Sequence, residues 1–183
     1  MKKIISTTTL LAIISVFTSS CKKDVKVNPN GAPQTAIPAQ FAGSWSSSSV
    51  GLTTYWNQGS YDGSYGNTVK TVVLKSNGTA EDYGYYEGSY SSIFFYRYTC
   101  TATYTEESDG SVTITEYPVG GEQIIGSGPK KPIASENLYP NKKIIMRNCT
   151  VETENGKTYL SYYLQQDDGN ASTTASRRER LDN

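Results

Sequence analysis

Four groups of side chains in this 183-residue chain have the types and spacing to do chemistry. They are three cysteines (Cys21, Cys100, Cys149), a set of adjacent carboxylates, a cluster of aromatics among small polar residues, and the late arginines Arg177, Arg178 and Arg180. There is no histidine. A Ser-His-Asp or Cys-His arrangement, a histidine metal site and a histidine general base are therefore excluded. Paired carboxylates can hydrolyse a glycosidic bond when they face one sugar from opposite sides. The pairs here are Glu81-Asp82, Glu106-Glu107 with Asp109, Glu152 with Glu154, and Asp167-Asp168. Each falls in or beside a turn or on an exposed strand face, where a carboxylate is solvated. Asp167-Asp168-Gly169-Asn170 has the residue types of a calcium loop but neither its alternating spacing nor its closing glutamate. Gly126-Ser127-Gly128 lacks the lysine and helix of a phosphate loop. The chain is expected to be no enzyme, with no metal and no cofactor.

The positive signal is aromatic. From Tyr55 to Asn67 the chain reads Tyr-Trp-Asn-Gln-Gly-Ser-Tyr-Asp-Gly-Ser-Tyr-Gly-Asn, in a sequence with 15 tyrosines. Binding loops use this composition, because tyrosine offers rigid amphipathic area while Ser, Gly and Asn supply adaptable hydrogen bonds. Tyr55, Trp56, Tyr61 and Tyr65 are thus a candidate recognition surface, suited to a sugar whose apolar face stacks on a ring. The same rings as strand formers in a barrel wall are the competing reading. A second group, Tyr83, Tyr85, Tyr86 and Tyr90, is read as wall residues.

The first twenty residues have the parts of an export signal: basic Lys2-Lys3, an apolar run centred on Leu10-Leu11-Ala12-Ile13-Ile14, and small Thr18-Ser19-Ser20 before Cys21. Thr18-Ser19-Ser20-Cys21 resembles the lipobox of bacterial lipoproteins, in which the cysteine is acylated and becomes the new N-terminus. Threonine in place of the leucine that enteric lipoboxes prefer is similar to lipoproteins of the Bacteroidetes group. The resemblance implies a cell-envelope protein held on a membrane, the outer membrane by expectation, through lipid on Cys21. Acyl chains contribute about 0.8 kcal/mol per buried methylene, so several together hold firmly.

Lipidation of Cys21 would leave an even count, and Cys100 and Cys149 are then a candidate disulfide in an oxidising compartment. Closing a loop of roughly 50 residues stabilises a fold by about 4 kcal/mol on the chain-entropy model. Two buried free thiols are the alternative, since spacing gives no distance. Removing residues 1 to 20 leaves 15 basic against 17 acidic residues, a charge of −2. No basic stripe follows, and nucleic-acid binding is not expected.

What must position the aromatics is a set of strands. Residues 21 to 40 carry Pro29, Pro33 and Pro38 and read as an extended tether. Residues 41 to 183 are the size of one domain. Alternation of Tyr, Thr, Val and Ile between turn residues predicts strands throughout. In the longest, Phe94, Tyr96, Tyr98, Cys100, Ala102 and Tyr104 share one face and Arg97, Thr99, Thr101, Thr103 and Thr105 the other. Further strands are expected at Ser44 to Ser49, Leu52 to Trp56, Thr68 to Lys75, Thr79 to Tyr86, Ser111 to Tyr117, Lys142 to Thr153, Lys157 to Gln166 and Ala171 to Leu181. Asn77-Gly78 and Asn155-Gly156 favour tight hairpins. The expected fold is all-β, an antiparallel up-and-down barrel of about eight strands or a related sandwich. The Gly- and Pro-rich insertion 118–141 departs from that simple pattern.

Phe41-Ala42-Gly43-Ser44-Trp45, directly after the tether, resembles the Gly-x-Trp opening of lipocalins and lipocalin-like lipoproteins, as Leu74-Lys75-Ser76-Asn77-Gly78-Thr79 resembles a strand-turn-strand that recurs in the latter. The resemblance implies that Trp45 closes the barrel floor beneath an arginine of the last strand, from Arg177, Arg178 and Arg180, with Arg178 as the choice. It also implies a small apolar ligand inside the barrel. The alternative function is a glycan- or protein-binding module working through residues 55–67.

Overall fold

The computed structural model describes residues 26–27, 31–61, 67–88, 93–165 and 169–181. Its main body is built from β3 (Gly43–Ser46), β4 (Thr68–Leu74), β5 (Thr79–Glu87), β6 (Ile93–Glu106), β7 (Val112–Ile125), β9 (Ile144–Glu154), β10 (Lys157–Leu164) and β11 (Ser176–Leu181). Each pairs antiparallel with the next, and β3 pairs with β11 through Arg180 opposite Trp45. Eight strands therefore close into an up-and-down β-barrel, and closure leaves no long open edge. A ninth, β8 (Lys131–Pro132), adds to the outer flank of β7, and β1 (Lys26–Val27) with β2 (Pro33–Gln34) forms a small ribbon.

The inner wall follows the period of two that strands impose. On β6, Tyr98, Cys100, Ala102 and Tyr104 join the interior core with Trp45, Val72, Leu74, Ile114, Met146 and Leu160. On the outer wall Val69, Tyr83, Tyr85, Phe95 and Ile124 form a second cluster. This outer cluster is covered by α1 (Leu52–Gln58). The strand expected from Leu52 to Trp56 is therefore corrected to a helix. Leu52 and Trp56, four apart, meet on one helical face. Gly59 ends the helix at φ 78°, its N–H and that of Ser60 donating to the Trp56 and Tyr55 carbonyls.

The two ends of the barrel differ. At one, the connections are tight: 75–78, 107–111 and Asn155-Gly156. Asn155 and Gly156 both have positive φ, 51° and 77°, as a two-residue hairpin turn requires. A strap of residues 31–42 crosses this floor, with Ala32, Thr35, Ile37 and Phe41 buried. The Thr35 N–H donates to the Ala102 carbonyl at 3.0 Å, and its hydroxyl accepts from the Tyr104 N–H at 2.8 Å. Gly78, at φ 82°, admits the strap, because a Cβ there would lie 2.1 Å from the Thr35 carbonyl. The tether expected over 21–40 is thus corrected from residue 31 onward, where buried side chains and backbone bonds fix the chain.

At the other end the connections are long, and β7 explains part of that. It does not stop at Tyr117 but runs through Pro118 to Ile125. The register with β6 shifts between Thr99 and Cys100, so that Val119 is left as an extra residue, a β-bulge. β7 pairs with β9 only at Ile114 to Glu116, while β8 and the Ile133 N–H take the flank beyond. The insertion is in this way part of the wall. The last strand, by contrast, is shorter than expected, Ser176–Leu181, with a single bridge from Ala171 to Gln165 before it.

Candidate functional site

The upper half of the barrel encloses a cavity of about 490 Å³ that opens at the long-loop end. Alternate residues of the strands line it: Lys70 on β4, Asp82 on β5, Phe94, Tyr96 and Tyr98 on β6, Tyr162 and Leu164 on β10, and Arg178 on β11. Lys142, just before β9, completes the wall. The three β6 rings form a ladder, with centroids 5.5 Å apart from Phe94 to Tyr96 and 5.1 Å from Tyr96 to Tyr98. Gly84 makes this ladder possible. It faces Tyr96 across the sheet, and a Cβ at Gly84 would lie 2.3 Å from that ring. The missing side chain lets the ring lie against the wall and leaves the lumen open.

The lumen is charged. Asp82, Glu116 and Arg178 are buried, at 5 %, 1 % and 8 % exposure, and one carboxylate oxygen each of Asp82 and Glu116 has no hydrogen-bond partner. Burial lifts the Asp82 carboxyl above its usual range although Arg178, Lys70 and Lys142 pull it down. Burial and the neighbouring Asp82 charge push Glu116 up to about 8, Arg178 opposing. For Arg178, burial works against the charge, but Tyr162, Asp82, Glu116 and Tyr96 outweigh it. Its guanidinium stands 5.3 Å from the centre of the Tyr162 ring, and the Lys142 ammonium 5.7 Å from that of Tyr98. Such a chamber can hold a small molecule by ring contact and by charge. Among the described residues no cluster of three or more His, Cys, Asp or Glu side chains is arranged for a metal ion.

No protein-family model, curated protein or solved structure matches this chain.

The residues singled out in the sequence divide as follows. Cys21 and Tyr65 lie outside the described residues. Trp56 and Tyr61 are buried, at 2 % and 6 %, in the outer cluster with Tyr85 and Phe95, and Tyr55 stands edge-on to Tyr61 at 4.9 Å. An exposed aromatic shelf of Tyr55, Trp56 and Tyr61 is therefore corrected to packing: the i, i+4 pair of α1 and the Tyr61–Tyr85 contact at 4.4 Å turn the rings onto the wall. Lys130, over the Trp56 ring at 4.5 Å and donating to its carbonyl at 2.8 Å, covers the helix end.

Cys100 and Cys149 are free and buried, which corrects the disulfide. They sit on β6 and β9, with β7 between. The Cys149 thiol donates to the Met146 carbonyl at 3.3 Å and lies by the Ile114 backbone, whose partner on β6 is Tyr104, four residues from Cys100. Four strand residues span roughly 13 Å, beyond disulfide reach. At the floor, the arginine over Trp45 is Arg180, 5.3 Å from the ring and donating to the Ala42 carbonyl at 2.8 Å. Gly43 is the small residue beside it, since a Cβ would come within 3.1 Å of Arg180 Nε. Arg178 is two residues up the same face, in the cavity, which corrects its expected place.

Glu116 and the inward role of Asp82 were missed. Asp82 reads as half of an exposed pair with Glu81, yet neighbours on a strand face opposite sides. Glu81 faces out to Lys75 and Arg97, and Asp82 faces in. The alternation of Ile114 with Glu116 was the available signal for the other.

Proposed function

We propose that this protein is a lipid-anchored binding protein of the cell envelope, placed at the outer membrane by the acylated Cys21, that holds one small molecule in the upper barrel without transforming it. The single observation that carries the reading is the cavity of about 490 Å³ at the open end, lined by aromatic and charged side chains. A ligand chamber beneath an open mouth is the use to which lipocalin-like barrels are put, and the Gly43 to Trp45 opening supports that likeness. The lining favours an amphipathic ligand over the wholly apolar one that the sequence suggests, because Lys70, Asp82 and Arg178 stand in it. The lack of histidine supports a carrier over a catalyst.

Titration with the uncharged fluorophore N-phenyl-1-naphthylamine tests the chamber. Saturable binding to one site is expected, and Gly84→Val, which drives the Tyr96 ring into the lumen, should weaken it. Unsaturable binding, or binding indifferent to Gly84→Val, would remove the reading. The membrane half is tested separately. Cys21→Ser should yield an unacylated protein that leaves the membrane fraction, and unchanged retention with unchanged mass would refute the anchor.

A further inference from the structure

The charges of the lumen are not balanced against one another. Among the described residues, the ion pairs within 4 Å are Lys75–Glu81, Arg97–Glu81, Lys157–Glu179 and Arg177–Glu154. All of these belong to the outer wall. Arg178, Lys70 and Lys142 all line the cavity, and among the described residues no carboxylate pairs with any of them within that distance. Among the described residues Asp82 is the one carboxylate of the lining, and Glu116 is more deeply buried. The groups that face Arg178 come from each side: Lys70 from β4, Asp82 from β5, Tyr96 from β6, Glu116 from β7, Lys142 from the segment before β9 and Tyr162 from β10. Lys70, Lys142, Lys143, Arg177 and Arg178 outnumber the single described carboxylate of the lining, Asp82, and a guanidinium that faces a cavity with no described carboxylate within ion-pair distance is a receptor for an anion.

The apolar surface is arranged along the same axis. Tyr86, Phe94 and Ile125 stand opposite one another on β5, β6 and β7, on the face that lines the lumen. They are 54 %, 36 % and 61 % exposed and form an apolar lip at the mouth. Asp82 lies opposite Tyr98, four residues below Phe94. That is roughly 13 Å of strand between the lip and the charged level.

Resting on the reading of the barrel as a ligand chamber, we propose that its ligand is an acidic amphiphile that enters head first. The anionic head is bound by Arg178 with Lys70 and Lys142, and the apolar body lies along Tyr96 and Phe94 toward the lip. Asp82 and Glu116 each keep one carboxyl oxygen without a partner beside this level, and burial favours the neutral form of both, which donates a hydrogen bond where the ionised form only accepts.

Displacement of N-phenyl-1-naphthylamine by three molecules of equal chain length, each below its micelle-forming concentration, tests this. Decanoate should displace the fluorophore at a concentration about tenfold or more below that of decanol, and decyltrimethylammonium should be weaker than decanol. Arg178→Met should bring decanoate to the level of decanol. The double variant Lys70→Gln, Lys142→Gln, at the solvent side of the cavity, should narrow the same gap and reports on the head site even where Arg178→Met fails to fold. Equal displacement by decanoate and decanol, preference for the cation, or no displacement by decanoate overturns the acidic head while the chamber stands. Failure of the fluorophore itself to bind removes the chamber and this inference with it.

Discussion

The lower and upper halves of the barrel use the same eight strands to opposite ends. Below, the inward positions are Trp45, Leu74, Ala102, Ile114, Met146 and Leu160, and they fill the space. Above, Lys70, Asp82, Gly84, Ser176 and Arg178 are inward positions too polar or too small to fill it, and the rings of Phe94, Tyr96, Tyr98 and Tyr162 line the space they leave. The lower half also gains a cover, the strap over the floor, and the Trp45 Nε1–H donates to the Phe41 carbonyl at 2.8 Å inside it. Stability and openness are thereby separated along one axis. A packed floor holds the barrel closed, so the mouth can carry unpaired charge and empty space.

Truncation should separate the halves most sharply. Trp45→Ala, at a fully buried ring, should cost about 3–5 kcal/mol in denaturant unfolding. Phe94→Ala, at the lip, should cost less than about 1 kcal/mol. Similar losses for the two would break the contrast.

The boundary between the halves should show in pH dependence. The folded carboxyl of Glu116 is raised from its ordinary 4.5 to about 8. Between those values the folded state holds a proton that the unfolded state has lost, so stability is full below about 4.5 and declines as pH rises through about 8. The Asp82 carboxyl is raised in the same sense and steepens the decline. Glu116→Gln should flatten the profile, as read by unfolding midpoints from pH 5 to 9. An unchanged slope in that variant would show that the lumen carboxyl is not buried as described.

The smallest effect belongs to the thiols. Burial pushes the Cys149 thiol to about 12 and the Cys100 thiol well above its usual value. Alkylating reagent should leave both untouched in the native protein. It should label both after denaturation without reductant, counted by intact mass. A single unlabelled pair there would restore the disulfide.

Much of the barrel was legible because hairpins announce themselves locally. Asn77-Gly78 and Asn155-Gly156 mark two floor turns, and the alternation from Phe94 to Tyr104 marks a wall with its inner face. What was not legible depends on contacts distant in sequence. Leu52 to Trp56 is too short for periodicity to separate helix from strand, and the outer wall that it covers is what decides. Arg178 and Arg180 share a face, so only the register of β11 on β3 assigns Arg180 to Trp45. The charged lumen stayed hidden for the same reason. Asp82, Glu116 and Arg178 are separated by 34 and 62 residues along the chain, and only closure of the sheet sets them around one space.

The strap also gives the molecule a polarity. Residues 31–42 are stitched across the floor, so the first residues of the strap lie at the end opposite the mouth. A surface that grips the protein near its N-terminus therefore sees the base of the cup, while the rim points outward into whatever fluid lies beyond. With the lipid anchor proposed for Cys21 and the ligand chamber proposed for the barrel, cargo would be exchanged with that fluid, and the bilayer would serve as a stand and not as a source.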